Sequence, residues 1–217
     1  MVVDRFKQWI SVLKPEGLDS FIKANMGKEN LRDAFINFLI IAAIGSVLLG
    51  LLMALYVFVF GALLSSLLRT IDLTAMFGSL FVFGIISVIS IFVLSLITQF
   101  LSSGFYWILA KALGGKATYA RQTYVLSYLS GGFQLVGVAL MFISWIPCVG
   151  SLVSMAYLVY YLYMQYMMIK NVHEMSSARA AAVVLIPIVI TLIIVAALYF
   201  FYFASLLLVP RTSSYYY

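Results

Sequence analysis

Four long stretches of this chain carry no charged side chain. Asp33 and Arg69 bracket 35 such residues, Asp72 and Lys111 bracket 38, Arg121 and Lys170 bracket 48, and Arg179 and Arg211 bracket 31. A helix needs about 20 apolar residues to cross a hydrocarbon core about 30 Å thick. The first, second and fourth stretches each hold one span. The third holds two, with Pro147 and Gly150 punctuating its middle. The runs are continuous, whereas a barrel would need short alternating strands. In lipid, a helix satisfies its own backbone N–H groups. Composition agrees: only 9% of the residues are charged, against roughly 25% in a soluble domain.

The predicted fold is therefore an all-α membrane protein, a five-transmembrane-helix bundle with an N-terminal interfacial amphipathic helix. The spans fall near 35–60, 77–108, 123–145, 149–169 and 180–205. The chain divides into an amphipathic segment 1–33, a transmembrane domain 34–207 and a tail 208–217. The tail opens with Leu208-Val209-Pro210-Arg211, which matches the remnant of an engineered protease site, so no function is read from it. No cleavable signal peptide is expected, because the first 33 residues are polar and amphipathic.

Five spans sort the basic residues cleanly. Arg5, Lys7, Lys14, Lys23, Lys28, Arg32, Lys111, Lys116, Arg121, Lys170 and Arg179 fall on one side, and only Arg69 and Arg211 on the other. Eleven against two is a strong positive-inside bias, which predicts a cytoplasmic N-terminus and an outer C-terminus. The net charge of +6 is thus topological, and nucleic acid is not an expected partner. The expected partner is the bilayer, with Lys111, Lys116 and Arg121 near anionic headgroups.

Residues 2–14 read as an amphipathic helix with Phe6, Trp9, Ile10 and Leu13 on one face, stopped by Pro15. Two placements fit that face: flat on the lipid interface, or packed on the end of the bundle.

Within the spans, small and neutral polar residues carry the information. Ala42, Ser46, Gly50 and Ala54 form a small-residue stripe, which marks a helix-packing face. It serves contact within the bundle, or a seam with a second copy or another membrane protein. Gly84, Ser87, Ser95, Thr98 and Ser102 fall within an arc of roughly 80° on span two. Asn37, Gln99, Gln122 and Gln165 lie near the basic ends of spans one to four, and Gln134 near mid-membrane in span three. Polar groups in lipid face the bundle interior, so these five carboxamides outline a cytoplasm-facing polar cavity. Interhelical hydrogen bonding is the competing use. Tyr157, Tyr160, Tyr161 and Met164 make one stripe on span four, suited to packing or to an aromatic groove for a lipid chain.

Catalytic chemistry is missing. No Asp, Glu, Lys, Arg or His lies deep in a span, which argues against proton relays and ion coupling. His173-Glu174-Met175-Ser176-Ser177 lacks the second histidine of a metalloprotease helix. A single His and the single Cys148, on opposite sides, build no metal site and no intrachain disulfide. Gly114-Gly115-Lys116 is too short to cradle phosphate. No catalytic residue and no cofactor is expected.

The pattern resembles the Yip domain family, the Ypt/Rab-interacting membrane proteins and their prokaryotic relatives. The resemblance rests on Pro15-Glu16 and the amphipathic stretch that follows, and on the loop and span GGKATYARQTYVLSYLSGGFQLVG. It rests also on the turn and span IPCVGSLVSMAYLVYYLYM, and on the link KNVHEMSSARAAAVVLIP. It covers roughly residues 10–205. What it implies is a membrane protein without enzymatic activity, and in eukaryotic members Rab binding and membrane traffic. This chain lacks the long hydrophilic N-terminal region and the Asp-Leu-Tyr-Gly-Pro motif of those members. It looks more like the compact archaeal or bacterial type, set in the cell membrane.

Three functions follow as expectations. The first is a membrane scaffold or adaptor acting in membrane organisation or trafficking. The second is a lipid or small-molecule permease or scramblase with a cytoplasm-facing polar cavity, Gln99, Gln134 and Gln165 lining its path. The third is an accessory subunit of a larger membrane complex. A sealed bundle favours the first or third, and a polar groove continuing past Gln134 favours the second.

Overall fold

The computed structural model describes residues 2–68, 73–144, 146 and 148–208. Seven helices fill the described residues: α1 (Val2–Ser11), α2 (Pro15–Ala24), α3 (Leu31–Leu68), α4 (Leu73–Ala112), α5 (Tyr119–Ile143), α6 (Val149–His173) and α7 (Ser177–Leu208). The last five are long and apolar enough to cross a membrane, in the positions the charge-free stretches predict. The chain is an integral membrane protein. Arg69, Asp72, Trp145, Pro147 and the tail from 209 lie outside the described residues.

Local chemistry sets the element ends. Pro15 does not continue α1; it opens α2, where a missing N–H costs nothing. Thr118 caps α5 by accepting from Arg121 N at 3.2 Å. Gly114, at φ 90°, supplies the left-handed residue of the turn after α4. Glu174, also left-handed, closes α6.

Helices α3, α4 and α7 are 38, 40 and 32 residues long, and α5 and α6 are 25 each. The core is densest at the basic end, the end bearing Lys111, Lys116 and Arg121. There α5 is buried almost all round, with Tyr124, Leu129 and Phe133 inside, and α6 contributes Met164, Met168 and Val172. Helix α7 shares this core only through its first turns, at Ala180, Val183 and Val184. From residue 189 to residue 205 its side chains are exposed apart from a half-buried Ala204. Pro187 sits where the helix leaves the bundle.

The N-terminal helices form a hairpin whose apolar face packs on α5 and α6, the second of the two placements. Trp9, at 1% exposure, and Val12 are buried, while Ile10 is 59% exposed. Tyr160 donates its hydroxyl to the Leu13 carbonyl, which ties the hairpin tip to α6. Arg5 is buried as well. Its Nη1 reaches Asn37 Oδ1 at 2.5 Å, and its Nη2 pairs with Asp33 at 3.2 Å. Buried charge is tolerated when paired and hydrogen-bonded.

Candidate functional site

A cleft of roughly 510 Å³ lies among α4, α5 and α6. Helix α4 contributes Ser95, Thr98, Gln99 and Ser102; α5 contributes Ser130, Phe133 and Gln134; α6 contributes Tyr157, Tyr161 and Gln165. A second cavity of roughly 240 Å³ lies beside it between α3, α4 and α5, lined by Gly45, Ser46 and Gly137 among others. Ile91, Ser95 and Gln134 line both. Polar residues thus line the two neighbouring cavities, Gln165 and Gln134 the first and Gln134 and Ser46 the second.

The local reasons are legible. Serine and threonine at helical spacing put one polar stripe on α4. A Cβ on Gly45 would strike the Gln134 amide, so the glycine makes the room that this carboxamide occupies. Gln165 is 3% exposed and lends its Nε2 to Tyr161 Oη at 2.6 Å, while its Oε1 has no partner. Tyr157 donates to the Phe133 carbonyl at 3.0 Å, which fixes its ring along the wall.

Three of the five expected cavity carboxamides, Gln99, Gln134 and Gln165, line the cleft. Asn37 and Gln122 do not. Asn37 accepts from Arg5 and donates to Ser127 Oγ at 3.2 Å. Gln122 donates to the Ser103 carbonyl at 2.8 Å, and its Oε1 lies 2.6 Å from His173 Nε2. A carboxamide oxygen only accepts, so His173 donates there. Both residues are spent on interhelical hydrogen bonds, the competing use.

The remaining expected residues divide likewise. On the small-residue stripe Ala42, Ser46 and Gly50 are buried, with Gly50 against Val88 of α4. Ala54 is exposed beside an outward apolar hollow with Gly84 and Val88. Lys111 and Lys116 are exposed, and Lys116 pairs with Glu174 at 3.2 Å. Arg121 pairs with Glu29 at 3.5 Å, and both side chains are mostly buried, so its charge is held within the protein.

Sequence reasoning missed the clasp at the basic end. A Cβ on Gly115 would stand 2.5 Å from His173 Nδ1, and Lys116 N donates to the His173 carbonyl at 3.2 Å. The Gly-Gly-Lys loop and the His-Glu link, separate in the chain, are one packed unit. The available signal was their joint presence in one pattern.

That unit lies within the region recognised by a family model. The Yip1 domain model matches residues 28–199. The chain belongs to the Yip1 domain family. The matched part of this Yip1 domain protein takes in all five apolar helices to residue 199 and every residue of the cleft. Comparison with curated proteins found no match. Comparison with solved structures found none either.

Proposed function

We propose that this Yip1 domain protein handles lipids, taking polar headgroups into the cleft between α4, α5 and α6 and letting them pass along it. The adjacency of the two cavities, which share Ser95 and Gln134 as polar lining, is the observation that supports the reading. A headgroup that moves through hydrocarbon needs polar partners at each step, since an unpaired polar group there costs about 2–7 kcal/mol. Hydroxyls and carboxamides supply those partners without a fixed charge to trap the cargo. The lateral opening follows from α7, which leaves the bundle beyond Ile188. The reading is non-enzymatic, in keeping with the family. Its orientation puts the basic end, with Lys111 and Lys116, in the cytoplasm beside anionic headgroups.

A scaffold, adaptor or accessory-subunit role is the second reading. The exposed outer half of α7 favours it, with large apolar side chains such as Leu198, Phe200 and Phe201 left unpacked. In lipid such a surface is ordinary, so this observation carries less.

Reconstitution with fluorescent phospholipids in liposomes tests the choice. The wild-type chain flips lipid, and the Gln99→Leu/Gln134→Leu variant, at equal folded yield, does not. No flipping above empty liposomes would leave the scaffold reading ahead.

A further inference from the structure

We infer that the cleft selects lipids whose headgroup ends in a primary ammonium, the ethanolamine type, with Gln165 as the acceptor that recognises it. The inference rests on the lipid-handling reading of the same cleft.

Gln165 is built as an acceptor without a donor. The residue is 3% exposed, its Nε2 is bonded to Tyr161 Oη at 2.6 Å, and its Oε1 is buried and unpartnered. One end of the amide is held; the other is shut off from solvent, on a residue that lines the cleft, so a turn about the last side-chain torsion brings it to a headgroup. A buried acceptor left unpaired is costly, so what fills this place brings an N–H or O–H.

The surroundings narrow the donor. Phe133 meets Tyr161 with ring centroids 4.9 Å apart at 81°, and Tyr157 at 5.6 Å and 66°. All three rings line the cleft. A cation within about 6 Å of such a ring is attracted to its face. No Lys, Arg, His, Asp or Glu lines the cleft among the described residues. A net anion finds no counter-charge there. A zwitterionic headgroup brings its own phosphate, and its ammonium meets both the rings and Gln165 Oε1. A choline headgroup keeps the attraction to the rings but has no N–H to give. A glycerol headgroup has hydroxyl donors but leaves the lipid anionic.

Native mass spectrometry of the purified full chain tests this, with dioleoyl phosphatidylethanolamine, phosphatidylcholine or phosphatidylglycerol added at equal concentration. Phosphatidylethanolamine is retained about tenfold over either rival, the scale of one hydrogen bond to a charged group. Gln165→Met abolishes the preference and Gln165→Glu increases it, with helical circular dichroism confirming the fold. Should Gln165→Met misfold, Tyr161→Phe keeps the ring, frees the amide and lowers the preference in its place. Equal retention of the three lipids overturns the inference. A preference for phosphatidylglycerol overturns it too, because the bare end of the amide is then the N–H.

The companion measurement is flipping of the same three lipids with acyl-chain labels. Ethanolamine-selective retention without flipping keeps the inference and removes the transport reading. Flipping without headgroup preference keeps transport and removes the inference.

Discussion

The indole of Trp9 occupies the space that a side chain on Gly131 would need. A Cβ built on that glycine lies 2.5 Å from the ring. Helix α1 therefore approaches α5 at backbone distance, halfway along α5, and the indole is buried at 1% exposure. Adjacent Gly132 leaves room for the Trp9 carbonyl and Leu13 in the same notch. A Gly-Gly pair inside a helix costs roughly 1 kcal/mol per glycine against alanine, and here the close packing offsets it.

Gly131→Ala is accordingly destabilising. The ring must shift, at a cost of about 1–3 kcal/mol for an overpacked contact. Thermal unfolding in detergent measures it, and the Trp9 emission moves to longer wavelength as the ring leaves the notch. A Trp9→Phe control isolates that signal from Trp107 and Trp145. An unchanged melting temperature and spectrum would mean the hairpin does not sit there.

Arg5 holds the same hairpin electrostatically. It bonds Asn37 on α3 and pairs with Asp33, and its side chain is largely buried. Arg5→Leu leaves the buried Asn37 oxygen without its donor, which costs about 1–3 kcal/mol, while Asp33, 44% exposed, turns to water. Limited trypsin digestion reads the outcome: cleavage after Lys7 and Lys23, both exposed, speeds up in the variant. Equal cleavage rates would show that Arg5 is not the latch.

The hairpin also marks a polar depth. Lys7, Gln8, Ser11 and Lys14 are exposed on it, while Leu13 packs at Gly132 and bonds Tyr160. Charged side chains at that level need water or headgroups. On this face the polar boundary of the bilayer thus lies near the middle of α5 and α6. Residues 133–143 of α5 then cover only about 16 Å at 1.5 Å per residue. A nitroxide on Lys14→Cys, in a Cys148→Ser background, is predicted to be relaxed by a water-soluble nickel chelate. Relaxation by oxygen alone would place it in hydrocarbon.

The spans were legible because charge is scarce and the bilayer demands length. Rotation of each span about its axis was not legible. Apart from the hydroxyl stripe of α4, no face of helices α3 to α7 is polar enough to announce itself. Hence Gln99, Gln134 and Gln165, which share the cleft, could not be told from Gln122, which is bonded to Ser103 and His173. Asn37 was no clearer, because its partner Arg5 is 32 positions away. The stripe of α4 was readable in part: Ser95, Thr98 and Ser102 line the cleft, while Gly84 lies at the outward apolar hollow. Arg121 looked like a headgroup contact because the reach of Glu29 to it is a tertiary fact. The Trp9 notch was encoded in Gly131-Gly132, but adjacent glycines do not say what approaches them.

The proposed lipid path crosses the wall that the two cavities share. Ser95 lines both of them. Ser95→Phe puts an apolar ring at that wall and leaves Gln165, on α6, in place. The most direct measurement is lipid flipping by the Ser95→Phe protein in liposomes, beside lipid retention by native mass spectrometry. The account predicts flipping slowed by at least about tenfold, since a headgroup must now pass without polar partners, with retention unchanged. Flipping at the wild-type rate would contradict a path through the cleft.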